Sequence, residues 1–372
     1  MRIAIWTGAY LYWERVHPSQ LWDEEAPMMA GSEITSMSIA MELARLGHEV
    51  LLGCKVDYPE SFGKLRICPL DMFQTTVFAE HYAALVSWDD PYIFRGALPH
   101  IPVKIIAYQV NHTICGVFRY IIDKHLHPSQ WHAARYVEEF GVPEGDQVIG
   151  LTNGIGTYMD DIGAIEGEVE YEYPERKPYV LWCSSPDRGL DHLLRMWPKI
   201  QEAVPKAELH IYYDMGKWMG RINAALQAGI QYPTTPRALE IQRLLQPMSQ
   251  DPHVTYHGGV SHVKLMRAML EGSVLAYPCD PVAPTECFSM VMLEAIVAGL
   301  TVIASDADAL PELWSPFDNC TILPLPVDEG LWVDQVVQGL QTLGLPGPTS
   351  VPERYTYPYI AGKWVELIRS LL

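Results

Sequence analysis

The stretch VLAYPCDPVAPTECFSMVMLEAIVAGLTVIAS, residues 274–305, reads as strand, loop, helix and strand. VLAYP (274–278) and TVIAS (301–305) are short apolar runs rich in β-formers. Between them, an apolar segment too long for a strand starts after Ser289 and stops at Gly299. That predicts a helix over 290–298, with Ser289 as its N-cap and Gly299 as its C-terminal stop. Two strands joined by a helix form a parallel pair. The segment CDPVAPTECF (279–288) then becomes a loop at the carboxyl end of a strand, where open α/β sheets bind ligands. Two carboxylates mark this place: Glu286 in the loop, and Glu294 little more than a turn inside the helix.

The same rhythm extends outward. In the C-terminal half, strands are predicted at 179–184, 208–214, 254–258, 274–278, 301–305 and 320–324. Helices are predicted near 190–203, 237–246, 262–271, 290–298 and 329–343. Regular alternation of this kind implies a doubly wound parallel sheet. The N-terminal half repeats the pattern more faintly, with strands at 2–6, 49–54, 84–88, 103–109, 124–129 and 147–152 and a helix at 33–46. The segment 159–178 carries seven acidic residues before its first basic one and has no apolar period, which marks a linker. The expected organisation is a Rossmann-like domain at 1–158, the linker at 159–178, a second Rossmann-like domain at 179–350, and a terminal helix at 351–372 that packs back on the first domain. The two domains are expected to face each other across a cleft. The connection from Thr7 to Ala30, with Trp13 and Trp22, is long for such a fold; a substrate-facing lid and plain aromatic packing both remain open.

Composition narrows the function. At 372 residues, with 49% hydrophobic content and a mean hydropathy of +0.01, the chain is a globular protein long enough for two cores. No apolar run reaches the roughly 18 residues that span a bilayer, and MRIAIWTGAY reads as a first strand rather than a signal peptide. Seven scattered cysteines with no CxxC pair argue against a disulfide framework or a zinc site and for a reducing cytoplasm. A net charge of -19 argues against non-specific binding to nucleic acid or an anionic membrane.

The two glutamates suit a particular ligand chemistry. A helix N-terminus offers backbone N–H groups and partial positive charge to phosphate. Ionised carboxylates beside it accept hydrogen bonds from hydroxyl groups. A phosphate-favouring element flanked by two hydroxyl acceptors describes a site for a sugar nucleotide; a Glu294 that caps its own helix or pairs with a surface lysine fits the spacing equally well.

With Glu286-CFSMVML-Glu294-AIVAG-LTVIAS, the chain resembles glycosyltransferase family four, retaining enzymes of the GT-B fold with an E-x7-E signature. Further similar segments follow in order: AGSE (30–33) ahead of LARLGHEV, HPSQWHAARYVEEFGVP (127–143) followed by LTNGI, SSPDRGLDHLLRMWP (184–198), HGGV (257–260) and ALPEL (309–313). The resemblance implies that Glu294 binds ribose hydroxyls and Glu286 the donor-sugar hydroxyls. It places the amides of Cys287, Phe288, Ser289 and Met290 along the sugar and phosphate, and Arg188 on the diphosphate. Gly31 would let the backbone approach that diphosphate, Gly258 and Val260 would lie in the loop that holds the base, and His112 would sit near the reacting sugar carbon. The sequence departs from the family at Cys287, where glycine is usual, and in LWCSS, where a Gly-Arg pair commonly supplies a second cation. Ser184 or Ser185 could bond the phosphate there, and Lys264 or Arg267 could supply the charge from elsewhere.

The implied activity is metal-independent transfer of a sugar from a nucleotide diphosphate donor to an acceptor hydroxyl, with no cofactor. The front-face reaction of such enzymes lets the leaving phosphate deprotonate the acceptor. Asp306 and Asp308 read as a solvated turn rather than a metal site, and His125 and His127 as packing. A sugar-nucleotide epimerase on the same architecture and a non-catalytic nucleotide or glycan binder remain alternatives. The choice among UDP, GDP and ADP stays open, as does the acceptor; a nucleic-acid acceptor is possible but not indicated by the charge.

Overall fold

Strand and helix alternate through both halves of the computed structural model, which describes residues 1–8, 21–95, 100–108, 120–156, 174–343 and 349–372. Two units result, one built from 1–21, 29–157 and 351–372, the other from 22–28 and 158–350.

The first unit runs β1 (Arg2–Trp6), α1 (Gly31–Arg45), β2 (Glu49–Cys54), β3 (Glu60–Phe62), β4 (Leu65–Pro69), α2 (Leu70–Ala79), β5 (Ala84–Trp88), β6 (Val103–Ala107), β7 (Lys124–His127), α3 (Gln130–Phe140) and β8 (Gln147–Ile149). Its eight-stranded sheet has the order β3-β4-β2-β1-β5-β6-β7-β8 and is parallel except for β3, which pairs antiparallel with β4. Central strands are apolar on both faces, as helices on both sides of a parallel sheet require: Ile3, Ala4 and Ile5 have no exposed surface. The hairpin edge and α2 were not expected from the sequence. β3 is three residues long and largely exposed, so it carries no apolar signal. Strand β7 ends at His127, earlier than expected, because Pro128 follows and Ser129 caps α3 by accepting from the His132 amide at 3.2 Å.

The second unit runs β9 (Tyr179–Trp182), α4 (Leu190–Ala203), β10 (Glu208–Tyr212), α5 (Met215–Gln227), α6 (Thr235–Met248), β11 (Val254–Gly258), α7 (His262–Glu271), β12 (Val274–Tyr277), α8 (Met290–Val297), β13 (Thr301–Ser305), α9 (Leu310–Trp314), β14 (Cys320–Leu323) and α10 (Glu329–Thr342). Its six strands are all parallel in the order β11-β10-β9-β12-β13-β14. Strand order therefore reverses between β9 and β12, and loops leaving those two strands diverge at a topological switch point. Trp182, Trp197, Trp314 and Trp332 fill the core against this sheet. Helix α5, also unexpected, starts where the Asp214 side chain accepts from the Lys217 amide at 2.8 Å.

Arg176 is buried and donates to the carbonyls of Met269, Gly272 and Ala298, at the C-terminal ends of α7 and α8. Those ends carry partial negative charge, which suits a buried cation.

The last helix, α11 (Tyr357–Leu371), belongs to the first unit. Tyr357 Oη lies 3.1 Å from Thr35 Oγ1 of α1. Trp364 packs on Trp88 with the rings tilted by 31° at a centroid distance of 5.7 Å, and its indole N–H donates to the Leu151 carbonyl at 2.7 Å.

Candidate active site

The loop leaving β9 makes a tight turn over Pro186–Arg188 and enters α4 through Gly189. Gly189 has φ 114°, and a Cβ there would lie 2.0 Å from the Pro278 carbonyl oxygen, on the loop leaving β12. Only glycine fits, so the backbones of the two loops touch. That contact brings Arg188 Nε to 3.3 Å from Glu286 Oε1, with both side chains largely buried. Beside Glu286 stands Tyr277, whose hydroxyl is 3.2 Å from Ser184 Oγ. Burial pushes the Glu286 carboxyl up, against the pull of Arg188 and Tyr277. Burial works to discharge Arg188, yet Glu286 holds its guanidinium above the ordinary arginine range. Among the described residues, Nη1 and Nη2 of Arg188 make no hydrogen bond, so two donors of this cation remain available.

The Glu286 loop is held from below. Asp308 Oδ2 accepts from the amides of Thr285 at 2.7 Å and Glu286 at 3.0 Å, and the Ala309 amide donates to the Glu286 carbonyl at 3.1 Å. The expectation of a solvated turn at Asp306 and Asp308 is therefore corrected. Asp306 is exposed, but half-buried Asp308, at φ 51°, pins the loop that carries Glu286. Sequence spacing could not show this, because the bonded partners lie 22 and 23 residues away.

Cys287 and Phe288 turn into the core. The Cys287 thiol contacts the Thr285 carbonyl at 3.6 Å, and Phe288 packs edge-on against Trp314 at 5.0 Å. The Phe288 carbonyl accepts from the Trp314 indole at 2.7 Å. Ser289 corrects a second expectation, since its side chain does not cap α8. Its backbone is left-handed, with φ 68°, which directs Oγ away from the helix amides; among the described residues that buried oxygen has no partner. The helix is instead closed by the Ser289 carbonyl, which accepts from Met292 at 3.2 Å and Leu293 at 3.4 Å. A non-glycine residue in this region stores strain, and such strain concentrates at ligand sites. Half-buried Met290 opens the helix.

Glu294, one turn further, is buried, and its Oε1 lies 2.8 Å from His262 Nε2 on α7. It also faces the loop leaving β9: burial pushes the Cys183 thiol well up, and the Glu294 charge adds to the effect. The loop before α7 turns at Gly258, with φ 75°, and continues through exposed Gly259 and half-buried Val260. His257 stacks flat on Tyr212 at 4.2 Å.

The two serines, Lys264 and Arg267, offered as substitutes for a second cation, have protein partners. Ser184 pairs with Tyr277 and Ser185 donates to Asp187, while Lys264 pairs with Glu25 at 2.8 Å and Arg267 with Glu24. The cation that sequence reasoning missed is Arg237 on α6. It donates to the carbonyls of Asp187 at 3.1 Å and of Asp280, and its side chain pairs with Asp191 at 3.3 Å and Asp280 at 3.2 Å. It thus ties the Arg188 turn to the loop after β12. His192, 3.2 Å from Asp280, and Arg195, 2.6 Å from Asp191, complete the brace. Gly31 opens α1 in the first unit, and His112 lies outside the described residues. Among the described residues, no group of three or more His, Cys, Asp or Glu side chains is placed to hold a metal.

The architecture defines a class: each unit is a parallel α/β domain, and the chain has the GT-B glycosyltransferase fold. Residues 177–341, less than half of the chain, match the family model described as Glycosyl transferases group 1. The chain is similar over its whole length to sucrose-phosphate synthase from Thermosynechococcus elongatus, with a TM-score of 0.62, 15% identity and 98% of that chain covered. It is likewise similar to HepE from Anabaena, solved in complex with UDP and glucose, with a TM-score of 0.59, 13% identity and full coverage of both chains. The catalytic domain of starch synthase IV from Arabidopsis thaliana, bound to ADP and acarbose, gives a TM-score of 0.60 at 9% identity over 100% of this chain and 99% of that one. No curated protein sequence matches.

Proposed function

We propose that this chain is a retaining glycosyltransferase that moves a sugar from a nucleotide diphosphate donor to an acceptor hydroxyl without a metal ion. The observation that carries the reading is the Arg188–Glu286 pair at the switch point of the second sheet, beside the start of α8. Arg188 supplies a fixed cation with two free donors to the diphosphate. Glu286 and Glu294 accept from sugar and ribose hydroxyls, respectively. The match of 177–341 to a glycosyltransferase family model and the UDP and ADP bound by two similar structures support this assignment.

In the reaction, the bond from the sugar anomeric carbon to the diphosphate oxygen breaks, and its electron pair leaves on that oxygen. The acceptor oxygen bonds to the same face of the anomeric carbon, and its proton passes to the departing phosphate. The protein positions the partners, and Arg188 stabilises the charge that grows on the leaving group. The second unit binds the donor in this reading, and the first binds the acceptor. Seven scattered cysteines with no CxxC pair support a cytoplasmic setting for this reading.

The test is a thermal-shift screen of UDP-, GDP- and ADP-sugars, followed by Glu294→Ala against the best donor. A donor-induced shift that Glu294→Ala abolishes is expected, together with transfer that survives a metal chelator. A panel in which no donor shifts the melting temperature and none is hydrolysed overturns the reading. So does conversion of the sugar nucleotide itself with no acceptor present.

A further inference from the structure

His262 is the first residue of α7, directly after Ser261, whose hydroxyl accepts from the Lys264 amide at 3.3 Å. Its ring meets a residue 32 positions away: Nε2 lies 2.8 Å from Glu294 Oε1, and the two side chains are 2% and 5% exposed. A carboxylate oxygen has no hydrogen to give, so the bond requires the proton on Nε2. Tying one oxygen of a buried carboxylate fixes its plane, and so fixes the direction in which the remaining lone pairs point.

Resting on the reading of Glu294 as the ribose acceptor, we infer that His262 is a positioning residue that orients the Glu294 carboxylate for the two hydroxyls of a nucleotide ribose, and so sets the preference for ribonucleotides over 2′-deoxyribonucleotides. A ribose presents two donors at fixed spacing, and a carboxylate meets both only if its plane is fixed. A freely turning Glu294 would still accept one hydroxyl, so it would bind the deoxy form nearly as well. The sequence shows HGGVSH as a loop before a helix, and the pairing appears only when α7 and α8 lie side by side.

The experiment compares the full-length wild type with His262→Gln and His262→Asn. The glutamine amide reaches the position of Nε2, whereas the asparagine amide stops short of it. Each protein is titrated with UDP, GDP and ADP, with their 2′-deoxy counterparts, and with inorganic pyrophosphate. His262→Asn is expected to weaken ribonucleotide binding about tenfold, the size of one lost hydrogen bond to a charged group. The ratio of ribo to deoxy affinity should then fall toward one, with pyrophosphate binding unchanged. His262→Gln should keep most of the wild-type ratio. A ratio in His262→Asn equal to that of the wild type overturns the inference. Parallel loss of pyrophosphate and nucleotide binding in both variants also overturns it, because His262 would then hold the fold rather than aim Glu294. A wild type that binds no nucleotide defeats the proposed function instead, and that result is seen before any substitution is made.

Discussion

In the core of the first unit, Tyr108, His125, His127, His132 and Tyr136 pack ring against ring. Tyr108 and His127 stack at 4.9 Å, and His127 Nδ1 lies 2.8 Å from His132 Nδ1. Around the turn into α4 the second unit instead pairs ions: Arg188 with Glu286, Arg195 and Arg237 with Asp191. Both clusters gather titratable side chains, but by different physics. His127 is kept neutral: burial, with His132 and His125 adding to it, pushes it down to about 2. Arg188 stays charged because Glu286, with Tyr277 and Asp187 adding to it, offsets the cost of burial. A neutral stack has nothing to offer a phosphate, whereas a paired cation with unused donors does. Burial of polar groups does not by itself mark a site; retained charge at a switch point does.

Arg188→Ala removes that charge and should have the largest effect. Loss of an electrostatic donor at a transferring group costs about 10²–10³-fold in kcat, read by nucleotide release from the best donor. An activity loss under threefold would mean that the cation is not where charge develops. Gly189→Ala attacks the contact that creates the pair. With a backbone carbonyl 2.0 Å away and φ at 114°, a methyl group cannot be accommodated without moving a loop. A destabilisation of about 3 kcal/mol is expected, seen as a lower denaturation midpoint with weakened donor binding.

The neutral cluster makes a pH prediction. His127 in the folded chain sits far below its ordinary value, so the unfolded state binds the extra proton first as pH falls. The stability contributed by the neutral ring is complete above pH ~6.5 and is lost progressively as pH falls below it. His127→Phe keeps the stack and lacks the proton site, so its denaturation midpoint should vary less between pH 6.5 and 4.5 than that of the wild type. Equal slopes would sink the assignment. Glu286 acts with the opposite sign: its raised value makes the folded state hold a proton longer, so its contribution is lost as pH rises through the folded value. Lys264→Ala should have the smallest effect. The Lys264–Glu25 pair is exposed, and its loss should cost under about 1 kcal/mol in a denaturant titration and leave donor binding unchanged.

The sequence made much of this plan legible, and the reasons are physical. Central strands such as β1 and β12 are short apolar runs because helices cover both faces of each sheet, and burial on both faces leaves a local signature. The edge hairpin of β3 and β4 buries little on β3 and left none. Arg188 and Glu286 stood out because each lies next to a glycine turn or a helix start within one short segment. Arg237, Asp308 and His262 did not, since each acts on residues 22 to 50 positions away. Asp308 shows the limit well. In the sequence it is an aspartate in a turn, and only the packed loop makes it the acceptor for two amides at the site.

Arg176 gives the second unit something like a surveyor's datum. One planar cation holds the final carbonyls of α7 and α8, the helices that carry His262 and Glu294. Helices of ten and eight residues are only about 15 and 12 Å long. Two lengths so short, measured from the same mark, share any displacement of that mark. The gap between His262 and Glu294 then changes less than the position of either one.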